Sequence, residues 1–373
     1  MLLKRHCSCE EEELLPHDVI ELILETLPVE ALLVSRSVSK KWKSSIDSRR
    51  FKERRLQRRR QSRAVHVLFL CVNGENTLKR DDNRVFSFGS SVARTGRIPN
   101  SGPLFCYGSC DGIVCLYGIH TPSIVVNPAT GWYQYFPLCS YQQLYIPRFD
   151  RKDVNFPSPK LGLGKDKLTG TYKPVWLYNS SVFGLENATT CELFDFTTNA
   201  WRYVVPASPY QINAYHKPVY LDGSLYWFTD CEEPKVLSLD LHTETFQVIC
   251  KAPFAHPCDP RQLTMCILDN RLCVSEKKWP TQVIWSFHSS GKTWNQMCCI
   301  DLTQTFSWFG VPMFALSPIA IMDKGKLLLQ GRDTSHALVI YDLHTKSYDF
   351  LFKPTRPVGS VQYVESLFSA LSN

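Results

Sequence analysis

SLDLHTETF, residues 238–246, has the pattern of a β-hairpin, and this pattern recurs along the chain. Apolar residues precede Asp240, a polar turn follows it, and the aromatic residue Phe246 comes six positions after the aspartate. Asp and Asn favour turns because their side chains accept hydrogen bonds from backbone amides two residues further on. We therefore expect a strand, a polar turn that begins at Asp240, and a second strand whose aromatic side chain packs back over the hairpin.

Further copies of this phrase carry Asn or Asp at the same place. They are VVNPATGWY (125–133), LFDFTTNAW (193–201) and IYDLHTKSY (340–348), with a looser copy, IWSFHSSGKTW (284–294). The turn-starting positions 127, 195, 240, 286 and 342 are separated by 68, 45, 46 and 56 residues. Repeats of about 45 to 50 residues are typical of propeller blades.

The surrounding sequence is also typical of an all-β domain. Short strands introduced by tight turns precede several copies: DGIVCLYG at Asp111, DGSLYWFT at Asp222, DNRLCVSE at Asp269 and DKGKLLLQG at Asp323. With strands at both ends of the domain, AVHVLFLCV and ALVIYDL among them, we expect a β-propeller of six kelch-like blades, give or take one. The 68-residue gap leaves room for a degenerate unit around YKPVWLYN (172–179). A two-sheet β-sandwich is the alternative fold.

The segment LPHDVIELILETLP, residues 15–28, predicts an amphipathic helix. At 100° per residue one face collects Pro16, Ile20, Ile23, Leu24 and Leu27. A second short apolar run, VEALLV (29–34), follows, and Val38, Trp42 and Ile46 share one face of a third helix. Three short helices cannot enclose a core by themselves, so either another protein or the rest of this chain must cover the apolar face.

The same segment closely resembles the F-box motif of plant F-box proteins. The resemblance runs from about Leu14 to Ile46 and rests on Leu15-Pro16, on Leu27-Pro28-Val29 and on VSKKWKS (38–44), in that order. It implies binding to a Skp-type adaptor, and through it to the cullin and RING subunits of an SCF ubiquitin ligase. The adaptor-binding residues would be Leu15, Pro16, Ile20, Leu24, Leu27, Pro28, Val38 and Trp42. The chain departs from the motif at Thr26, Glu30 and the Val34-Ser35 pair.

From Cys106 onward the sequence resembles the F-box-associated domain of plant proteins. The matching phrases are GSCDGIVCLY, NPATGWYQYFP, LGLGKDKLTGTYKPV, CELFDFTTNAWRYV and LDGSLYWFT, which cover about Pro103 to Phe254. The resemblance implies that this domain recruits the target protein. We therefore expect a non-catalytic substrate receptor that needs no cofactor or metal. The sequence does not identify its target or the target-binding residues.

The formal net charge of +7 is concentrated in one segment. RRFKERRLQRRRQSR, residues 49–63, has nine basic residues and one acidic residue, so the rest of the chain is close to neutral. It is interpreted first as a solvated helix anchored by Phe51 and Leu56, next as a nuclear-import signal, and last as a nucleic-acid contact. Nucleic acid is least favoured because only Phe51 could stack on a base. The predicted organisation is an acidic disordered segment (1–13), an F-box (14–48), a basic linker or helix (49–63) and a propeller-like domain (64–373).

Two local motifs suggest enzymes, but neither fits its surroundings. GSCDG (108–112) has the form of a nucleophile elbow, which would make Cys110 the nucleophile of a cysteine hydrolase. A strand rather than a helix follows it, so a hairpin turn is expected instead. LGLGKDKLTG (161–170) lacks the spacing of a Walker motif, and we expect a hairpin tip with Lys165, Asp166 and Lys167 solvated.

The fifteen cysteines predict no disulfide framework and no zinc site. Their number is odd and their spacing irregular, and CxxC and HxxxH pairs are missing, so free and mostly buried thiols are expected. We find no export signal and no run of about 18 apolar residues that would span a membrane. The expected location is the nucleus, the cytoplasm or both, with no membrane partner.

Overall fold

The computed structural model describes residues 15–61, 65–71, 84–88, 94–95, 105–150, 159–254, 259–310, 313–322, 325–331, 337–353 and 357–370. The predicted disordered segment 1–13 lies outside the described residues. The chain begins with four helices: α1 (His17–Thr26), α2 (Val29–Ser35), α3 (Lys40–Asp47) and α4 (Arg49–Gln61). Helix α1 ends where Pro28 forces Leu27 into an extended conformation. Helix α3 begins at Ser39, whose hydroxyl accepts a hydrogen bond of 3.1 Å from the Trp42 amide.

The described strands then form six four-stranded antiparallel sheets, against an expectation of six, give or take one. Five sheets are continuous in sequence and contain β4 to β7, β8 to β11, β12 to β15, β16 to β19 and β20 to β23, with these bounds: β4 (Phe105–Cys110), β5 (Ile113–Tyr117), β6 (Ile124–Asn127), β7 (Trp132–Tyr135); β8 (Gly162–Lys165), β9 (Tyr172–Asn179), β10 (Thr189–Asp195), β11 (Ala200–Tyr203); β12 (Val219–Leu221), β13 (Ser224–Phe228), β14 (Lys235–Asp240), β15 (Phe246–Lys251); β16 (Leu263–Leu268), β17 (Arg271–Lys278), β18 (Thr281–His288), β19 (Thr293–Asp301); β20 (Ser317–Met322), β21 (Lys326–Gln330), β22 (Leu338–Asp342), β23 (Tyr348–Phe352).

The sixth sheet joins the two ends of the β domain. It consists of β1 (Val65–Cys71), β2 (Arg84–Phe88), β3 (Arg94–Thr95) and the last strand, β24 (Pro357–Tyr363). Strand β24 pairs antiparallel with β1, with His66 opposite Tyr363. The ring is thus closed by backbone hydrogen bonds between segments almost 300 residues apart in sequence.

Two details of the predicted repeat count are wrong. YKPVWLYN is not a hidden blade: it is β9, and it pairs with β10 in the same sheet as the LFDFTTNAW hairpin. The long gap before it is filled by helix α5 (Ser140–Asp150) and its flanking segments. ALVIYDL does not close the ring either, because it contains β22 of the fifth continuous sheet. The ring of sheets excludes the two-sheet sandwich.

The repeated hairpin owes its shape to the side chain of its Asp or Asn. In SLDLHTETF the Asp240 carboxylate accepts hydrogen bonds from the amides of His242 (2.8 Å) and Thr243 (2.7 Å). The turn then needs one residue in the left-handed region, Glu244 at φ 56°. Asn127, Asp195 and Asp342 accept equivalent bonds in their own copies. The expected turn is therefore present at all four places, formed by the same local hydrogen bonds.

The apolar side chains between neighbouring sheets form the core. One cluster joins the sheets of β4–β7 and β8–β11 and contains Phe136, Trp176 and Phe194, with Phe136 stacked on Phe194 at 4.8 Å between ring centroids. The first strands β4, β8, β12, β16 and β20, together with β24, surround a central cavity of about 1100 Å³. Helix α4 lies across one end of this cavity. The helical segment is therefore packed against the propeller.

Helix α5 is held on the propeller by a buried carboxylate. Glu192 of β10 is 1% exposed. Its oxygens accept hydrogen bonds from the amides of Ser140 (2.8 Å) and Tyr141 (2.9 Å) at the start of the helix, and from the Tyr178 hydroxyl (3.1 Å). Negative charge is favourable at a helix N-terminus, so Glu192 fixes the position of α5.

Candidate functional site

The two ends of the propeller have different surroundings. In an antiparallel sheet, the turns after the first and third strands lie at one end and those after the second and fourth at the other. Arg60 of α4 pairs with Asp111 in the turn between β4 and β5, and Arg49 approaches Gly170 in the turn between β8 and β9. We call this end the proximal face. The opposite end, the distal face, carries the loops 118–123, 180–188, 204–218 and 229–234 and the segment that contains α5.

A buried ion pair fixes the helices to the propeller. The Arg55 side chain is 1% exposed, and its guanidinium donates to the carboxylate of Glu365 (3.1 Å) and to the carbonyl of Leu27 (2.9 Å). It also donates to the Glu365 carbonyl at 3.3 Å. The same carboxylate accepts a hydrogen bond of 3.4 Å from the amide of Val29. One arginine thus connects α4, the α1–α2 junction and the segment after β24.

That segment also inserts side chains on both sides of the junction. Leu367 packs against the core of the helices, whereas Phe368 is buried in a core of the propeller. The fully buried Asn127 donates to the carbonyls of Ser366 (3.0 Å) and Phe368 (2.7 Å) and holds the segment in place. Residues 364–370 therefore join the two parts of the molecule. The sequence patterns did not point to Arg55, Glu365 or Leu367.

The basic segment is a helix, and much of its charge is paired within the chain. Arg54 donates to Glu25 and, at 2.9 Å, to Glu21 of α1. Arg60 and, at 2.9 Å, Lys165 share the Asp111 carboxylate. Phe51 and Leu56 are buried, as the helix interpretation requires. Paired arginines release few counterions from a phosphate backbone, so this arrangement disfavours the nucleic-acid interpretation.

The structure divides the eight predicted adaptor-binding residues into two groups. Leu24 is 1% exposed in a core with Leu32, Ile46 and Phe51, and Ile20, Leu27 and Trp42 pack against the same core. The face predicted to need a partner is thus covered for these four residues by the chain itself. The other four, Leu15, Pro16, Pro28 and Val38, are exposed.

An apolar stripe that begins just before α1 and adjoins the predicted face at Ile23 lies in solvent. Leu15, Val19, Leu22 and Ile23 are 46%, 38%, 54% and 48% exposed, and their spacing places them on one side of the helix. Val34 and Val38 are exposed to 71% and 63%. The signal was present in the sequence, because Leu15, Val19 and Leu22 follow an i, i+4, i+7 spacing. Clustered exposed apolar side chains of this kind mark interaction sites.

The distal face carries a second set of exposed apolar side chains. All of its members lie in loops or helices at that end: Leu144, Leu185, Val205, Tyr210, Tyr215, Trp279, Phe306 and Met313. In the described turns of the proximal face, Leu168 is the one large hydrophobic side chain exposed to a comparable degree. Aromatic residues and methionine are enriched in protein interfaces. The distal face is therefore the candidate surface for a second partner.

The sites of the two enzyme-like motifs lack catalytic geometry. Cys110 ends β4, and Asp111-Gly112 turn directly into β5, so no helix follows the thiol. Cys110 is buried, and burial and the neighbouring Asp111 raise its pKa well above the usual value. LGLGKDKLTG forms the hairpin of β8 and β9. The expectation that its tip is fully solvated is wrong, because Asp166 is 1% exposed.

Asp166 instead contributes to contacts between neighbouring blades. Its carboxylate lies 3.1 Å from Nδ1 of His242 and accepts hydrogen bonds from the amides of Leu168 (2.8 Å) and Thr169 (3.1 Å). Burial alone would raise the pKa of Asp166, but the hydrogen bonds from His242 and Thr169 lower it to about 2. His242 thus has a structural position, and the copy IYDLHTKSY carries a histidine, His344, at the same place.

Neither a metal cluster nor a membrane helix is found in the described part of the chain. No group of three His, Cys, Asp or Glu side chains is placed to hold a metal ion within these residues. Within the same residues, no helix combines the length and the apolar character needed to cross a membrane.

Comparison with known families matches both parts of the molecule. Residues 13–54 match the F-box domain, and residues 103–369 match the F-box associated beta propeller domain. The chain therefore belongs to the family of proteins with an F-box associated beta propeller domain, preceded by an F-box. Neither match describes an enzyme.

Plant proteins named as F-box proteins resemble the chain over most of its length. It is 55% identical over 291 residues to F-box protein At1g11270 of Arabidopsis thaliana, covering 78% of this chain and 92% of that protein. It is 48% identical to F-box/LRR-repeat/kelch-repeat protein At1g09650 of the same plant, covering 99% of this chain and all of that protein. F-box protein At2g34280, also from Arabidopsis thaliana, is 47% identical, covering 96% of this chain and all of that protein.

Proposed function

We propose that the chain is the substrate-recognition subunit of an SCF-type ubiquitin ligase, acting in the nucleus, the cytoplasm or both. Its F-box binds a Skp-type adaptor, which connects it to the cullin and RING subunits. Its propeller holds a target protein for ubiquitination. The chain makes no bond itself; it acts by holding the target close to the loaded conjugating enzyme.

The observation that carries the proposal is the exposed apolar stripe of α1 in a module matched as an F-box. Leu22 and Ile23 are about half exposed, so burying the rest of each side chain in a complex would contribute about 1 kcal/mol per residue. We propose that Leu15, Val19, Leu22, Ile23, Val34 and Val38 contact the adaptor together with Pro16 and Pro28. Ile20, Leu24, Leu27 and Trp42 support that surface from beneath.

The position of the helices assigns the two propeller faces different roles in this proposal. The proximal face is in contact with α4 and is close to the adaptor-binding module. The distal face lies at the opposite end of the ring from α4 and carries the larger set of exposed aromatic and aliphatic side chains. We therefore assign target binding to the distal face.

Binding of a purified plant Skp-type adaptor to the full chain tests the proposal. The wild type should bind with a dissociation constant in the micromolar range or below. The double substitution Leu22→Asp/Ile23→Asp should abolish binding but leave thermal unfolding nearly unchanged, because both side chains are exposed. Leu168→Asp, which changes a 70% exposed leucine on the propeller, is the matched control and should bind normally.

The substitution Leu24→Ala distinguishes residues that support the adaptor-binding surface from residues that contact the adaptor. Leu24 is buried, so this substitution should cost about 2–5 kcal/mol of stability and weaken adaptor binding only through that loss. The proposal fails if the wild type does not bind the adaptor at micromolar concentration. It also fails if Leu22→Asp/Ile23→Asp binds as well as Leu168→Asp does.

A further inference from the structure

A small cavity opens on the distal face between the β8–β11 and β12–β15 sheets. Its volume is about 170 Å³, well below the ~300–1,000 Å³ of pockets for drug-sized ligands. The walls are mostly aromatic and aliphatic and include Tyr141, Tyr178, Val182, Ile212 and Tyr215. A cavity of this size and lining fits one long amino-acid side chain rather than a cofactor or a nucleotide.

Tyr141 lines this cavity, and its buried hydroxyl has an unused hydrogen-bonding capacity. Tyr141 is 1% exposed, and its ring stacks on Trp176 at 5.2 Å between ring centroids. Its hydroxyl has no hydrogen-bond partner among the described residues. Burial raises the pKa of this phenol, so the group is neutral and can both donate and accept. A buried polar group without a partner is costly, so a ligand atom that reached this hydroxyl would gain a hydrogen bond at little desolvation cost.

A carboxylate completes the lining of the cavity. Asp230 lies in the loop between β13 and β14, and its amide donates to the Gln211 carbonyl at 2.8 Å. In the described part of the chain no cation lies within ion-pairing distance of its carboxylate. The Asp230 side chain is exposed at the cavity wall, and the partial burial it has raises its pKa above the usual value. A cation in the cavity would pair with this carboxylate.

Further acidic residues lie in the same two loops. Glu232 follows Asp230 by two residues, and Glu186 belongs to the loop 180–188 that also supplies Val182 to the cavity. Both residues are exposed. The nearest cation along α5, Arg148, donates to the Val182 carbonyl at 2.5 Å and lies over the Phe183 ring. The acidic residues of these two loops favour a positively charged partner for the cavity.

We propose that this cavity binds a lysine or arginine side chain of the target protein. The methylene stem packs between Tyr178, Val182 and Ile212, the cationic head pairs with Asp230, and the Tyr141 hydroxyl accepts one of its N–H groups. Long basic side chains suit such a site because an apolar stem carries the charged end. The inference rests on the proposed function in one respect, namely that the distal face is the target-binding side.

Saturation-transfer NMR on the full chain tests the site with single-residue probes. The probes are Nα-acetyl-lysine N-methylamide and Nα-acetyl-arginine N-methylamide, and the uncharged controls are the corresponding norleucine and glutamine compounds. One side chain in one cavity should give a dissociation constant on the order of millimolar. The basic probes should receive saturation at their side-chain methylenes, and the uncharged controls should receive little.

Two substitutions locate the binding. Asp230→Asn should weaken the basic probes about tenfold, because it removes the charged partner. Tyr141→Phe should weaken them roughly threefold to tenfold while leaving thermal stability equal or higher, since the hydroxyl has no partner to lose. Asp222→Asn on the proximal face is the matched control, because Asp222 is exposed, pairs with Lys167 and lies at the opposite end of the propeller from the cavity.

Three results would overturn the inference: no saturation of the basic probes, equal saturation of the norleucine compound, or binding that Asp230→Asn leaves unchanged. Adaptor binding is measured on the same preparations. If the adaptor binds and the basic probes do not, this inference fails and the proposed function stands. If the probes bind and the adaptor does not, the cavity assignment stands and the proposed function fails.

Discussion

Arg55→Ala is the substitution that most directly tests how the helices are fixed to the propeller. Arg55 is 1% exposed and donates to the Glu365 carboxylate, the Glu365 carbonyl and the Leu27 carbonyl. Its removal leaves these acceptors without that donor inside the junction. Removal of one partner of a buried ion pair costs about 3–5 kcal/mol. Because the Glu365 side chain keeps 17% exposure, water can reach it, and we expect the lower end, about 3 kcal/mol.

Hydrogen–deuterium exchange measures this loss where it occurs. If the junction opens without unfolding of the whole ring, a loss of about 3 kcal/mol should speed exchange in α1, α4 and residues 364–370 by about a hundredfold. Amides of β16 to β19, which are remote from the junction in the sheet order, should exchange at the wild-type rate. The effect should therefore be local.

Two comparisons make the result specific. Arg50→Ala changes an exposed arginine of the same helix and should alter stability by no more than about 0.5 kcal/mol. The double substitution Arg55→Ala/Glu365→Ala should cost less than the sum of the single ones, because it removes both charges together. The reasoning is refuted if Arg55→Ala exchanges like Arg50→Ala, or if the two single effects simply add.

Further expectations concern titration and thiol reactivity. Asp166 has a folded-state pKa of about 2, below its unfolded value, so its contribution to stability is complete above the unfolded pKa and disappears as pH falls toward 2. Between about pH 5 and 2, the free energy of unfolding of Asp166→Asn should therefore depend less steeply on pH than that of the wild type. An equal pH dependence in the two proteins would contradict this expectation. With iodoacetamide at neutral pH, mass spectrometry should find the exposed Cys231 and Cys299 labelled well before the buried Cys110. Preferential labelling of Cys110 would instead revive the hydrolase interpretation.

The arrangement of the parts has a consequence for how such a receptor works. A flexible connection would let the target sample many positions relative to the F-box. Here α4 lies across the proximal end of the ring, and residues 364–370 insert into both cores. The segment after the closing strand therefore couples ring closure to the position of the F-box. A change that opens the β1–β24 pairing should also release the helices.

The sequence by itself determined the repeated hairpin. The Asp or Asn of these copies forms its turn through a hydrogen bond to the amide two residues away, joined in Asp240 and Asp342 by a second one to the amide three residues away. Such local interactions depend on the neighbouring residues alone. The spacing of the copies then indicates a propeller, because each hairpin must bury its apolar face against the next. The first helix, which lies within residues 15–28, and the F-box resemblance likewise followed from short segments of sequence.

Tertiary structure decided which surfaces are free. Helical periodicity identifies Ile20, Leu24 and Leu27 as apolar, but it does not reveal that Ile46, Phe51 and Leu367 already cover them. The exposed stripe of Leu15, Val19 and Leu22 becomes the candidate interface only once that packing is known. The pairing of Arg55 with Glu365 spans 310 residues, and no local rule connects positions so far apart. Contacts of this kind depend on the closed ring, which brings the end of the chain back to its beginning.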